Sequence, residues 1–297
     1  MRKLTSTLIL LPALLGIAAA PAAAKELAVV TSFTVLADMV KQVGGDHVQV
    51  HTLVGPNGDP HVYEPTPQDA EALAKADLVF VSGLGLEGWM TRLVTASGYK
   101  GPIIIATKGV KTRHMEEDGK EITDPHAWNS AANAVIFARN ITEALVKADP
   151  DDAAAFSASG AQYQARLAAL DAWARAQVAT VPAGKRKIIT SHDAFGYLGA
   201  AYGITFRAPA GFSTESEASA ADVGALIDQI KRDKIKAVFL ENSNDPRLVE
   251  QIASATGATL GGTLYAEALS TPDGPAPTYE AMFHYDLDLL VKGMAAN

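Results

Sequence analysis

The 297-residue chain contains no cysteine. That absence excludes disulfides, thiolate metal sites and the acylated cysteine of a lipid-anchored protein. Any metal must be held by His, Asp or Glu. Long apolar runs are also missing. Leu8 to Ala20 has 13 residues, fewer than the ~20 that a membrane-spanning helix needs, and no later segment reaches that length. Positive charge is in deficit, with 25 Lys+Arg against 33 Asp+Glu and a formal net charge of -8. An acidic surface argues against nucleic acid or an anionic membrane as partner. A His-Glu-x-x-His helix motif is absent. Ser191-His192-Asp193 is no catalytic triad, because adjacent residues rarely aim at one another in the geometry required.

The chain starts as an export signal. Arg2 and Lys3 precede the short apolar run, and Ala22-Ala23-Ala24 supplies small residues for cleavage before Lys25. Removal of residues 1–24 leaves about 273 residues, enough for two domains. The mature protein is expected to be soluble and exported.

Two stretches stand out. Gly58-Asp59-Pro60-His61-Val62-Tyr63-Glu64-Pro65-Thr66-Pro67 sets a histidine in a loop stiffened by three prolines, and Asp124-Pro125-His126-Ala127-Trp128 repeats the tripeptide. Proline fixes its own φ and keeps its predecessor extended. A histidine after it is therefore aimed before a ligand arrives, which suits a metal site. Asp-Pro is also ordinary turn chemistry, so one copy alone would mean little.

Short apolar strands alternate with helical segments on both sides of the chain's middle, which predicts parallel sheets flanked by helices. Thr66 and Pro67 mark a helix start. Thr107 to Thr123 is polar and reads as a surface loop. From Asp151 to Ala179 there is no proline and only one glycine, Gly160, while Phe156, Tyr163, Leu167, Leu170, Ala174 and Val178 recur at helical spacing. One helix of this length would run roughly 43 Å; a break at Gly160 is the alternative. The expected architecture is α/β: an N-terminal lobe (25–148), a linking helix (149–181) and a C-terminal lobe (182–297).

His61, His126, His192 and Glu267 each follow a strand on this reading. Ligands of open parallel sheets bind beyond the carboxyl ends of strands, so two residues from each half would converge between the lobes. Asp59, Asp124, Glu64 and Asp193 are candidates to orient the histidines. His47, His51 and His284 read as surface or packing residues, and Trp128 as a shield over the cleft.

The Asp59–Pro67 and Asp124–Trp128 stretches, with Thr190-Ser191-His192-Asp193-Ala194-Phe195-Gly196-Tyr197, resemble three ligand motifs of the zinc/manganese ABC-transporter solute-binding proteins. Thr214-Glu215-Ser216-Glu217 and Phe239 to Leu248 match in style, and the resemblance spans essentially the whole mature chain. It implies a monomeric periplasmic carrier, not an enzyme. Such a carrier holds Zn2+ or Mn2+ between two lobes and delivers it to the membrane permease and ATPase subunits of an ABC transporter. Two departures are visible. The family's fourth ligand is usually aspartate, and here Glu267 stands in its place. The histidine-rich loop of some zinc members is reduced to His114 beside Glu116, Glu117 and Asp118, a candidate for auxiliary metal capture. Relatives resembling manganese carriers commonly have glutamate at the third position; His192 stands there in this chain. Three imidazoles and a carboxylate suit tetrahedral zinc, whereas manganese prefers more oxygen. Manganese, or a mixed load, is the second reading. A secreted zinc hydrolase with Glu267 as general base is a third, and a binding protein for an organic solute a fourth.

Overall fold

The computed structural model describes residues 26–117, 120–211, 214 and 218–297. The expected signal peptide, residues 1–24, lies outside them, as does all of the Thr214–Glu217 motif except Thr214. No helix among the described residues is long and apolar enough to cross a membrane.

Two parallel four-stranded sheets carry the fold. The first is built from β1 (Leu27–Phe33), β2 (Val48–Val54), β3 (Leu78–Val81) and β4 (Ile103–Ile105) in the order β2-β1-β3-β4. β1 and β3 are central and buried almost throughout, as expected for strands covered on both faces. Helices α1 (Thr34–Gly44), α2 (Pro67–Lys75) and α3 (Met90–Ser97) connect them. Thr66 caps α2 as its sequence predicts: its side chain accepts from Asp69 N, and Asp69 accepts from the Thr66 amide. Ahead of α3, Glu87 has a structural task. Its buried carboxylate accepts from Ser32 Oγ (2.7 Å), Ser82 N (2.6 Å) and Gly83 N (3.0 Å), tying together the ends of β1 and β3.

The polar segment after β4 is not a plain loop. β5 (His114–Glu117) and β6 (Lys120–Thr123) pair antiparallel as a hairpin. Polar alternation on a two-stranded ribbon carries little hydrophobic signal, so the sequence reading missed it.

α4 (Ala131–Ala148) then leads into α5 (Ala153–Ala179), one unbroken helix of 27 residues, roughly 40 Å long. Gly160 does not break it. A Cβ at that position would lie 2.2 Å from Thr142 Oγ1 on α4, so the glycine permits close approach of the two helices. α5 also packs on α1 and on two helices of the second lobe, α6 (Gly196–Tyr202) and α9 (Tyr279–Ala296).

The second sheet contains β7 (Lys187–Ile189), β8 (Thr205–Arg207), β9 (Ala237–Glu241) and β10 (Thr259–Leu264), with α7 (Ala220–Asp233) and α8 (Arg247–Thr256) between strands. Its order, β10-β9-β7-β8, repeats the topology of the first sheet. One apolar core runs from Leu27 through α5 to Met294, and a smaller one, around Ile230, Val238 and Ile252, lies in the second lobe.

Candidate metal centre

His61, His126, His192 and Glu267, far apart in sequence, converge with one donor atom each, all within 4.8 Å of one another. All four are buried, Glu267 and His126 completely. Glu267 Oε1 lies 2.6 Å from His61 Nε2 and 3.2 Å from Nε2 of both His126 and His192. His61 Nε2 and His126 Nε2 are themselves 3.2 Å apart.

Each side chain is aimed by neighbours, some local in sequence and some brought in by the fold. His61 follows β2. Its amide donates to Asp59 Oδ1 (2.8 Å), and Trp89 Nε1 donates to the Pro60 carbonyl (2.8 Å). Tyr63 packs edge-on against Trp89 and donates its hydroxyl to Asp69 (2.8 Å). The proline loop is thus held on both sides of the histidine. His126 follows β6. Asp124 Oδ1 accepts from its amide (3.0 Å) and from its Nδ1 (2.9 Å). A carboxylate only accepts, so Nδ1 carries the hydrogen and Nε2 is left as the donor atom facing the centre. His192 follows β7, and Glu241 at the end of β9 does the same for it. Glu241 Oε2 contacts His192 Nδ1, and Oε1 accepts from the amides of Ser191 (2.8 Å) and His192 (3.1 Å).

Glu267 lies just beyond β10. Trp128 Nε1 (2.8 Å) and Asn129 Nδ2 (3.2 Å) reach from the first lobe to the Ala266 carbonyl. Asp286 of α9 accepts from the Tyr265 amide (3.0 Å). These bonds fix the backbone on which Glu267 stands.

The electrostatics follow from this crowding. Burial works against charge on His126, but Asp124 and then Glu267 outweigh it and raise its pKa. Burial is likewise outweighed at His192, where Glu241 and Glu267 hold the imidazole well above the ordinary value. Burial also opposes ionisation of Glu267, and His192 and His61 overcome it, holding the carboxyl well below its usual range.

Of the residues expected to orient the histidines, Asp124 holds an imidazole and Asp59 holds a backbone amide. Asp59 Oδ2 also accepts from Thr214 Oγ1 (2.6 Å) across the lobes. Glu64 is exposed, and the amide of Asp193 bonds the Gly211 carbonyl. His47 pairs with Asp152 (2.7 Å) at the start of α5, and His284 packs edge-on against Trp173. His114 lies in the hairpin beside Glu121 (3.6 Å). Glu241 was missed as an orienting residue. Its signal was present: a carboxylate closing the apolar strand Ala237 to Leu240, at the kind of position that pointed to the converging residues. The turn Asn242-Ser243-Asn244 was missed too, although it borders the centre. A cavity of about 470 Å³ adjoins the site there, lined by Asp59, His192, Thr214, Ser243 and Asn244 among others.

The family model described as zinc-uptake complex component A, periplasmic, matches residues 29–293. The chain belongs to this family of metal-binding ABC-transporter substrate-binding proteins. Its members are substrate-binding components of transporters, not enzymes, and they act outside the cytoplasm. The chain is 34% identical to the iron-binding protein YfeA of Yersinia pestis, across 91% of this chain and 87% of that one. It is 32% identical to the manganese-binding lipoprotein MntA of Bacillus subtilis, across 93% and 92%. The solved structure of the periplasmic zinc-binding protein TroA of Treponema pallidum superimposes with a TM-score of 0.86 at 31% identity, covering 91% of this chain and 99% of that one. The three proteins are named for three different metals. MntA is named a lipoprotein, whereas this sequence has no cysteine to acylate.

Proposed function

We propose that this protein captures zinc in the periplasm, holds it through His61, His126, His192 and Glu267, and delivers it as a monomer to the permease of an ABC transporter. The observation that carries the reading is the donor set itself: three imidazole nitrogens and one carboxylate oxygen, buried and converging. Zn–N and Zn–O bonds of about 2.0–2.2 Å put tetrahedral donor–donor edges at roughly 3.3–3.6 Å. Three donor–donor contacts are 3.2 Å and a fourth is 2.6 Å, and all four donors lie within 4.8 Å of one another, a spread that brackets those edges. Orienting carboxylates on His126 and His192 are the usual companions of zinc-bound imidazole.

Manganese is the second reading, favoured by the carboxylate and by the names of relatives such as MntA. Its preference for oxygen-rich octahedral sites weighs against a donor set with three nitrogens. The lobes that share the metal are 25–148 and 182–297, with 149–181 as their connection, and export follows cleavage after residue 24. Metal analysis of protein purified without chelator, followed by competition between zinc and manganese, tests the reading. Zinc retained and preferred supports it; preferential manganese binding replaces it with the second.

A further inference from the structure

The two oxygens of Glu267 have different surroundings. Oε1 faces the Nε2 atoms of all three histidines. Oε2 is turned toward Ser243, whose hydroxyl lies 3.3 Å away and donates to it. Among the described residues, Ser243 has one other acceptor in reach, Asn244 Oδ1 at 3.4 Å. That amide oxygen is neutral, and a hydroxyl hydrogen bonds more strongly to an ionised carboxylate.

The turn that presents Ser243 is anchored on both sides. Asn242 Nδ2 donates to the Ala268 carbonyl (3.1 Å) and to Asn57 Oδ1 of the first lobe (3.0 Å). Asn244 Nδ2 donates to Glu241 Oε2 (3.2 Å) and lies 3.0 Å from His192 Nδ1. Ser243 is therefore fixed relative to the carboxylates at the ends of both β9 and β10.

We propose that Ser243 is a specificity-determining residue: by holding Glu267 Oε2 it restricts this carboxylate to one metal bond and keeps the centre four-coordinate. Four-coordinate tetrahedral geometry is what zinc takes in closed sites. Manganese gains from extra oxygen ligands and an expanded shell. A glutamate free to turn would offer its second oxygen as a fifth ligand. The two-methylene side chain of Glu267 can make such a turn, and this gives Ser243 something to restrain. This inference rests on the zinc reading above for the direction of the preference, but not for the role of the hydroxyl.

The test compares the unaltered protein with Ser243→Ala and Ser243→Thr. Zinc and manganese affinities are measured by competition, and cobalt(II) is loaded as a spectroscopic probe. Four-coordinate cobalt absorbs strongly in the visible range, whereas five- and six-coordinate cobalt absorbs weakly. In Ser243→Ala the zinc-to-manganese affinity ratio should fall about tenfold, equivalent to about 1.4 kcal/mol, and the cobalt absorption should drop. Ser243→Thr, which keeps the hydroxyl, should stay close to the unaltered protein. An unchanged ratio and cobalt spectrum in Ser243→Ala would overturn the proposal, and so would a Ser243→Thr protein that behaves like Ser243→Ala. A protein that prefers manganese from the outset, yet still shifts with Ser243→Ala, would sink the zinc reading and leave the role of Ser243 standing.

Discussion

At the scale of single residues, convergence would make each proposed ligand hard to replace. Removing one imidazole leaves a three-donor site, and at His126 or His192 it also strands the carboxylate, Asp124 or Glu241, that orients the ring. A histidine-to-alanine change at His61, His126 or His192 is expected to weaken zinc by well over tenfold, each tenfold being about 1.4 kcal/mol. Isothermal titration with a competing chelator measures this, and an unchanged affinity would remove that residue from the ligand set. Proton competition has a defined direction. His126 and His192 have raised pKa values in the metal-free protein, so protons hold them at a higher pH than they hold a free imidazole of about 6.5. Zinc affinity should fall as pH drops through those raised values. Glu267 is held well below the usual carboxylate range and stays ionised through this interval. Its protonation therefore sets in at lower pH than the reference value of about 4.3 would suggest. A flat affinity profile between pH 5 and about pH 8 would show that these histidines do not bind the metal. The same shifts act on folding of the metal-free chain. The stability that His192 gains from its carboxylates is fully present below about pH 6.5 and is lost as pH rises through its raised folded value. Melting of chelator-treated protein should therefore move to lower temperature on the alkaline side, and a constant melting point there would contradict the assignment.

At the scale of elements, α5 and its partner α4 show local propensity giving way to packing. Replacing glycine by alanine in an exposed helix stabilises it by about 1 kcal/mol. At Gly160 the sign should reverse. The new Cβ would sit 2.2 Å from Thr142 Oγ1, 2.7 Å from Cγ2 and 3.0 Å from Cβ, and no rotation of the threonine moves its Cβ away. Gly160→Ala is expected to cost about 1–3 kcal/mol through overpacking. Urea unfolding checks the sign, and a stabilised variant would mean that the helices separate without penalty. The β5–β6 hairpin gives a second lesson. Its strands exist because their backbones pair, and no apolar alternation announced them.

At the scale of the whole molecule, the lobes are joined by more than a linker. The main core is continuous from β1 through α5 to α9. Trp128, Asn129 and Thr34 of the first lobe bond the Ala266 and Leu269 backbone of the second, and Tyr279 returns a bond to the Trp128 carbonyl (2.6 Å). Wide opening would expose apolar surface and break buried hydrogen bonds together. Metal exchange is therefore expected to proceed through small tilts and movement of the ligand loops. Solution scattering with and without zinc should show nearly the same radius of gyration, and a large change would refute this.

The sequence by itself determined much of this protein. Apolar strands alternating with helices pointed to two parallel α/β halves and the 3.6-residue spacing from Phe156 to Val178 to the long helix; strand ends pointed to His61, His192 and Glu267, and the repeated Asp-Pro-His to His126, whose preceding strand β6 belongs to the antiparallel hairpin and not to the parallel sheet. These features are local: propensity, periodicity and the strand-end rule operate within a few residues. Tertiary structure decided the rest. Which oxygen of Glu267 faces the histidines, why Glu241 holds His192, how Ser243 meets a carboxylate 24 positions away, and why Gly160 sits inside an unbroken helix all depend on distances between segments that are remote in sequence. Such distances are set only when the two sheets and the helix between them pack into a shared core.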